Sequence, residues 1–355
     1  ETPQMTVEHD AEHVNVEATC TEDGHKYYKT SYAFNAKAIF SNAYTQSLPA
    51  LGHNMSDAIT FYESKSIYTK GCTRNCGHNE YFATSDASVA AQPNDDASAF
   101  TVDKFTLNDA TAYNSKAKFT VTDLTYSRSF SHDKWLAVYV PFSIDCGQLT
   151  DEYEMATINN FHEFEQKDGK YNIVLEVKPV TNGTTIPALT PCLIRMKQAP
   201  ETAEAETTEA KTLHFTNVSF AAAADKKIDC ASVTRYYQFL GTLNAKVGFD
   251  TTSDFVIDKG ELWKAVSDTE LNPQRWYLSA SDRTGSELNP SVQLSRIAIH
   301  VIGGDDTTGI EGIYVKTDTE DASSSCQGIY DLQGRKLSVE PTSGIYIKDG
   351  KKYVK

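Results

Sequence analysis

The sequence predicts a mostly β protein, with one or more β-sandwich domains between a small cysteine-bearing N-terminal module and a short β-hairpin tail. A series of strand-like runs lies between residues 98 and 303, and most of them alternate apolar and polar residues with period two. The 19 Tyr and 16 Phe outnumber the 4 Met, a balance that favours strands over long apolar helices. Turn dipeptides such as Asn182-Gly183 and Lys259-Gly260 separate the runs. Short strands at this spacing are typical of a sandwich.

The first block, residues 1–95, is predicted to form a small repeat-like module rich in Cys and His. Its segment HKYYKTS (25–31) aligns faintly with SIYTKGC (66–72), and it ends in the polar, linker-like stretch SDASVAAQPNDDASA. The motif GCTRNCGH places Cys72, Cys76 and His78 at a spacing that zinc ligands use. The further donors of the block are Cys20, His25 and His53.

A closed structural zinc site needs four ligands, and a second closely spaced cysteine pair is missing from this block. The sequence therefore favours free thiols or a Cys72–Cys76 disulfide over a zinc ion held by Cys20, Cys72, Cys76 and His78, with His25 or His53 helping. We accordingly assign no metal ligand from the sequence.

The second block, residues 96–305, is predicted to form the β-sandwich domain or domains. Its run KWLAVYVPFSI is apolar on both faces, which predicts a central strand that ends at Pro141. The segment LTDEYEMATINNF predicts a short helix with Thr150 as its N-cap. The acidic stretch APETAEAETTEAK is predicted to be a solvated loop.

Catalytic motifs are not visible in the chain, which has no Gly-x-Ser-x-Gly elbow and no glycine-rich phosphate loop. The densest acidic cluster near apolar sequence indicates a solvated face rather than paired catalytic carboxylates; its members are Glu152, Glu154, Glu163 and Glu165. The tryptophans are expected in the core rather than on a sugar-stacking platform; they are Trp135, Trp263 and Trp276. Buried free thiols are expected at Cys146, Cys192 and Cys230. We assign no catalytic or cofactor-binding residue, and expect neither an enzyme nor a cofactor.

Charge and hydropathy narrow the possible functions further. The 355-residue chain carries a formal net charge of −15, with a pI near 5.0, so its surface repels nucleic-acid phosphates and anionic lipid. No run reaches the roughly 20 apolar residues of a transmembrane helix. The polar start ETPQMTVEHD shows no signal peptide, as expected of a mature, processed or truncated chain.

The third block, residues 306–355, is predicted to be a polar connector followed by a small β tail. The runs GIYDLQGRKLSV and GIYIKDGKKYVK read as four short strands, and Asp349-Gly350 favours a two-residue hairpin turn. This tail resembles the C-terminal segment of many secreted surface proteins of Bacteroidetes-type bacteria, which implies a sorting module that directs export to the cell surface.

The rest of the chain resembles other parts of the same surface proteins. The segments FTVTDLTYSRSFSHDKWLAVYVPFSI and TPCLIRMK are similar to a β-rich domain that recurs there, and ATCTEDGHKYYK and LPALGHN are similar to a small cysteine-bearing repeat. The first copy of that repeat lacks the second cysteine pair. The resemblance implies an extracellular or outer-surface location, and it carries over no catalytic residue.

Together these features predict a non-enzymatic secreted or cell-surface protein that serves in adhesion or surface presentation. Its expected partners are a surface protein or glycan, and export machinery that reads the C-terminal tail; nucleic acid is not expected. The alternative is a carbohydrate-binding or glycan-processing accessory protein. A divergent hydrolase, whose carboxylates meet only on folding, is the third possibility.

Overall fold

The computed structural model describes residues 4–34, 37–131, 134–165, 171–197, 208–231, 235–258, 260–282 and 296–302, and four short strands between 329 and 354. These residues form strands and turns with two single-turn 3₁₀ helices, Glu63–Lys65 and Cys146–Gln148. The mostly β class is therefore confirmed, while the sandwich arrangement stays a prediction. Within the described part of the chain, no helix has the length and apolarity to cross a membrane.

The N-terminal residues form a three-stranded antiparallel sheet in the order β1-β2-β3. Its strands are β1 (Gln4–His9), β2 (Gly24–Phe34) and β3 (Lys37–Leu48). The connection between β1 and β2 passes close to the first residue of β2, Gly24. A Cβ added to Gly24 would lie 2.3 Å from the backbone nitrogen of Ala18. Only glycine lets the β1–β2 connection pack back against the strand in this way.

A seven-stranded sheet in the order β16-β9-β8-β7-β6-β5-β4 follows, antiparallel except for the parallel pair β8–β9. Its strands are β4 (Thr60–Tyr62), β5 (Ile67–Gly71), β6 (Asn79–Phe82), β7 (Ala90–Pro93), β8 (Phe100–Asn108), β9 (Phe119–Ser131) and β16 (Thr208–Phe220). The predicted domain boundary after residue 95 falls between β7 and β8, which pair within this sheet. Residues 1–304 make up one compact unit and residues 305–355 a second.

The remaining strands of the first unit form a ten-stranded sheet and a two-stranded sheet. The ten strands run in the order β10-β15-β12-β13-β22-β20-β19-β21-β18-β17, with β13 and β22 parallel. They are β10 (Leu136–Val138), β12 (Tyr153–Glu165), β13 (Tyr171–Pro179), β15 (Cys192–Met196), β17 (Lys227–Ala231), β18 (Arg235–Thr242), β19 (Asp254–Asp258), β20 (Glu261–Lys264), β21 (Arg275–Asp282) and β22 (Arg296–Val301). The two-stranded sheet pairs β11 (Ile144–Asp145) with β14 (Thr185–Ile186).

Apolar side chains of the two large sheets share one core. Strand β10 contributes to this core, but its position in the sheet differs from the predicted one. The run around β10 is buried on both faces, as its composition predicts, but β10 lies at the edge of the ten-stranded sheet and not at its centre. Burial comes instead from packing against β19 and β21 in addition to pairing with β15. Trp135 and Trp276 are in the core as predicted, whereas Trp263 is 37% exposed.

The helix predicted over LTDEYEMATINNF is wrong, because most of this segment belongs to β12. Strand β12 pairs with β13 on one side and β15 on the other, so its backbone hydrogen bonds are made across the sheet. Its Thr157, Ile158 and Phe161 suit a strand, and these tertiary pairings outweigh the weak local helix signal. The predicted acidic loop lies largely outside the described residues, but its last residues begin β16 at Thr208.

A buried charge cluster links the two large sheets. Asp109, just after β8, accepts a hydrogen bond from Arg275 of β21 and lies 4.0 Å from Nε of Arg128 of β9. Arg128 also donates from Nη2 to the carbonyl oxygen of Ala137 at 2.6 Å. Gln274 adds bonds from Nε2 to the carbonyl oxygens of Asn108 and Thr111.

In the C-terminal unit the four strands expected from the tail are present, in the order β24-β23-β25-β26. They are β23 (Ile329–Tyr330), β24 (Lys336–Leu337), β25 (Ile345–Lys348) and β26 (Lys351–Val354). Strands β25 and β26 are antiparallel, which matches the predicted closing hairpin. Its proposed turn, Asp349-Gly350, lies outside the described residues.

Candidate functional site

One face of the three-stranded sheet carries a group of exposed apolar side chains, here called the apolar face. Strand register places Met5 opposite Tyr32 and Tyr28 opposite Tyr44, and the period of two adds alternate residues to the same side. The large exposed members are Met5, Val7, Tyr32, Phe34 and Tyr44, with exposed fractions from 36% to 57%. The ring of Tyr28 stacks on that of Tyr44 with 5.4 Å between centroids.

The opposite face of this sheet carries mostly small and polar residues, and its one aromatic residue of β2, Tyr27, stacks on the ring of His13. The hydroxyl groups of Thr6 and Ser31 are 2.8 Å apart there, and Glu8 pairs with Lys29 in the register of β1 and β2. The sheet is therefore two-sided in character. Single exposed apolar residues are ordinary on a protein surface. Here several lie on one side of a sheet, with the polar pair Thr30 and Asn42 among them, which makes this side a candidate interaction surface.

A cluster of three thiols and one imidazole lies in the loops that border this sheet. Its members, the Cys/His cluster, are Cys20, His53, Cys72 and Cys76. The sulfurs of Cys20 and Cys72 are 3.8 Å apart, and Sγ of Cys76 lies 3.3 Å from Nδ1 of His53. One donor atom from each residue lies within 4.8 Å of all the others. Cys20 and Cys72 are buried, whereas Cys76 and His53 are exposed.

Two sets of backbone hydrogen bonds bring the loops of the Cys/His cluster together. The N–H groups of Leu51 and Gly52 donate to the carbonyl oxygens of Thr19 and Cys20 at 2.8 and 3.0 Å, which places His53 beside Cys20. The same loop then pairs with the end of β5. There Ser56 N–H donates to the Gly71 carbonyl, and Thr73 N–H donates to the Asn54 carbonyl. His53 is thereby held between Cys20 and the β5–β6 turn.

The turn that carries Cys72 and Cys76 folds back tightly between β5 and β6. Asn75 and Gly77 have positive φ values of 55° and 83°, which Asn and Gly tolerate better than other residues. Cys72 N–H donates to the carbonyl oxygen of His78 at 2.9 Å and closes the turn. The Arg74 side chain reaches across to the carbonyl oxygen of Gly52 at 3.0 Å. Both sulfurs of the turn therefore lie beside the loop that contains His53.

The thiols of the Cys/His cluster differ in acidity. Hydrogen bonds from the backbone N–H groups of Arg74 and Asn54, the former the larger effect, lower the pKa of Cys72 despite its burial. Burial and the neighbouring sulfurs of Cys76 and Cys72 raise the pKa of Cys20. A thiolate at Cys72 is therefore favoured beside the Cys20 thiol, whose raised pKa means that it holds its proton more strongly.

The three cysteines that the sequence suggests as zinc donors do come together in the structure. The histidine beside them is not the one in the sequence motif. His53 and not His78 joins the thiols, and the His78 ring stacks on the His53 ring with 3.8 Å between centroids. His25 is not among the four. The Cys72–Cys76 disulfide suggested by the sequence is not formed, since both residues are free cysteines.

The other residues considered from the sequence lie apart from the Cys/His cluster. Glu154 bonds Nε of Arg195 at 2.6 Å across β12 and β15, and the side chains of Glu163 and Glu165 lie outside the described set. Burial raises the pKa of Cys192 to about 12 and that of Cys146 to about 11, as expected for thiols inside a core. Cys230 is half-buried.

Comparisons of the chain with known protein families, with curated proteins and with solved structures found no match. The function is therefore inferred from the two features just described, the apolar face and the Cys/His cluster. These are neighbours in the N-terminal part of the chain, within the compact unit formed by residues 1–304.

Proposed function

We propose that the protein is a non-enzymatic secreted or cell-surface protein that serves in adhesion or surface presentation, and that the apolar face is its contact surface. The observation that carries this proposal is the grouping of Met5, Val7, Tyr32, Phe34 and Tyr44, all exposed, on one side of a sheet whose other side has fewer large apolar side chains. Such an arrangement leaves apolar area in water that a partner can cover.

Energetics support a binding role for the apolar face. Burying apolar surface contributes about 25 cal/mol for each Å² removed from water, and aromatic side chains dominate binding where they are fully desolvated. The Tyr and Phe residues of this face are held on paired strands, so little backbone freedom remains to be lost on contact. A partner with a flat, partly apolar surface is the kind that would fit.

The exposed indole of Trp263 favours a second function, carbohydrate binding. Trp263 lies on β20 and is 37% exposed, although its neighbours in sequence predict a core position. A tryptophan side chain that reaches the surface is suited to contact the apolar side of a sugar ring. Under this alternative the protein is a glycan-binding accessory protein, and Trp263 rather than the apolar face is its contact residue.

The proposed location rests on the C-terminal tail and its resemblance to sorting segments of bacterial surface proteins. Its strands β23–β26 form a sheet of their own in a separate compact unit. Export machinery could capture such a sheet through its strand edges. Lys351 and Lys352 give the tail a positive charge that contrasts with the net −15 of the chain.

Binding of the purified protein to an array of immobilised glycans and to an array of extracellular-matrix proteins tests the proposal. We expect binding to at least one matrix protein, reduced at least tenfold by the double substitution Val7→Ser and Tyr44→Ser because it removes apolar area from the contact. The matched control, Thr6→Ala with Thr45→Ala on the polar face, should bind as the original protein does.

Three outcomes would contradict adhesion through the apolar face. The first is binding that both double variants retain in full. The second is binding only to glycans that Trp263→Ala abolishes, which would establish the alternative function instead. Absence of binding on both arrays would also count against adhesion.

A further inference from the structure

We propose that the Cys/His cluster is a structural zinc site, in which Cys20, His53, Cys72 and Cys76 bind one Zn²⁺ tetrahedrally. Three thiolates and one imidazole are a common ligand set of structural zinc. Cys72 and Cys76 have three residues between them, within the spacing that such sites use for a ligand pair. This metal site is independent of the partner that the apolar face binds.

The distances in the Cys/His cluster match the edges of a zinc tetrahedron. Zn–S bonds of about 2.3 Å and Zn–N bonds of about 2.0–2.1 Å imply S···S edges of about 3.8 Å and S···N edges of about 3.5 Å. The Cys20–Cys72 and Cys76–His53 edges are 3.8 and 3.3 Å. Since all four donor atoms lie within 4.8 Å of one another, small side-chain rotations complete the set.

A disulfide fits these distances less well than a metal does. The S–S bond is about 2.05 Å long, well below the 3.8 Å between Cys20 and Cys72. A disulfide would also leave the third thiol and His53 without a reason to converge. A single ion explains why four donors from distant parts of the chain meet at one point.

The chemistry of the donors selects the metal. Soft thiolates favour Zn²⁺ over hard cations such as Ca²⁺ and Mg²⁺, which take oxygen ligands. The four donors fill a tetrahedron, so no position is left for a water molecule or a substrate, and the site is structural rather than catalytic. On binding, each cysteine that was a thiol gives up its proton to solvent.

Neighbouring groups support the thiolates. The backbone around Cys72 is fixed, since its own N–H donates to the His78 carbonyl oxygen at 2.9 Å and Thr73 N–H donates to the Asn54 carbonyl oxygen at 2.8 Å, and this orients the ligand. The site of one Zn²⁺ and three thiolates carries a net charge of −1. The Arg74 guanidinium, which bonds the Gly52 carbonyl beside the ligand loop, contributes an opposite charge nearby.

The position of the ligands defines what the metal does. Cys20 lies in the β1–β2 connection, His53 follows β3, and Cys72 and Cys76 lie in the β5–β6 turn. One ion therefore links the loops of the three-stranded sheet to the end of the seven-stranded sheet. The metal fixes the sheet that carries the apolar face against the body of the protein.

Metal analysis of the purified 355-residue chain tests this assignment. After dialysis against metal-free buffer, we expect about one zinc per chain by elemental mass spectrometry. Replacement by Co²⁺ should produce the visible absorption and the thiolate charge-transfer band of a tetrahedral cobalt–thiolate site. A chelator should remove the metal and make the exposed Cys76 thiol reactive toward a thiol reagent, a readout that needs no variant.

Variants separate the ligands from their neighbours. Cys72→Ser and His53→Ala should each weaken zinc binding at least tenfold, whereas Cys230→Ser and His78→Ala should retain one zinc per chain. Chains without metal in every preparation, a disulfide between Cys20 and Cys72, or unchanged affinity in His53→Ala would each overturn the site. Because these readouts use only metal and thiols, they do not depend on whether the apolar face binds a partner.

Discussion

Gly241 on β18 shows how one residue can decide the packing between the sheets. A Cβ built there would lie 2.2 Å from the nearest ring carbon of Tyr139. That ring is fixed at its far end, where the hydroxyl donates to the Ala224 carbonyl at 2.6 Å and accepts from Lys226 N–H at 3.0 Å. The ring therefore has no room to retreat, and the strand must have glycine at this point.

We expect Gly241→Ala to lower the free energy of unfolding by about 2 kcal/mol, because the added methyl group forces Tyr139 out of its position. Urea denaturation followed by fluorescence measures this change. The matched control is Gly147→Ala, whose Cβ meets nothing nearer than the Asp145 side chain at 3.2 Å; its change should stay below about 1 kcal/mol. Equal effects of the two substitutions would rule out the Tyr139 contact as the cause.

At the scale of residues, the sequence predicts the cysteines of the Cys/His cluster but not its histidine. The spacing of Cys72 and Cys76 is local, so it is visible in the motif. The choice of His53 over His78 depends on Leu51 and Gly52 pairing with Thr19 and Cys20, a contact between residues more than thirty positions apart. Short-range patterns carry no information about that pairing.

At the scale of elements, the charge cluster around Asp109 joins β8, β9 and β21 across the two large sheets. Arg128 is fully buried, and its burial lowers the pKa of its guanidinium to about 10. Asp109 is the carboxylate that faces both Arg128 and Arg275. Its removal would leave two cations near each other without their counter-charge.

We expect Asp109→Ala to lower the free energy of unfolding by about 3 kcal/mol, because breaking one partner of a buried ion pair leaves an uncompensated charge. Asp103→Ala, on the exposed side of β8, is the control and should change stability by less than about 0.5 kcal/mol. Chemical denaturation of the three proteins at neutral pH gives the comparison. A loss for Asp109→Ala no greater than that of the control would show that the cluster does not stabilise the sheets.

Most strands can be predicted from the alternation of apolar and polar residues. The incorrect predictions concern segments whose structure depends on which strands they pair with. The tail strands and the runs of β9, β13 and β18 are visible in their period of two. By contrast, Thr150 and the acidic residues at and before the start of β12 resemble a helix start. Only the pairing of β12 with β13 and β15 makes this segment a strand. In β10, burial is predicted correctly, but its place at the sheet edge depends on which strands come to lie beside it.

At the scale of the whole molecule, the separate C-terminal unit permits a direct test of the proposed sorting role. We expect deletion of residues 328–355 to abolish surface display and to leave the protein in the cells or the medium, because the proposed recognition element is lost. Cell fractionation and surface labelling in a bacterium that exports the full chain would locate the product. The shortened protein should keep its thermal unfolding midpoint, since residues 1–304 form a compact unit of their own. Unchanged surface display would contradict the sorting role.

The place of β22 in the ten-stranded sheet has a consequence for how the chain acquires its structure. It is the last strand of the first unit to be synthesised, yet it lies between β13 and β20 in the interior of the sheet. Until the ribosome has released residue 301, both neighbours present open edges, and the contact between β13 and β22 spans more than a hundred residues. Contacts of such long range slow folding and expose intermediates to aggregation. Maturation of this unit is therefore expected to be a late, post-translational event that benefits from a chaperone.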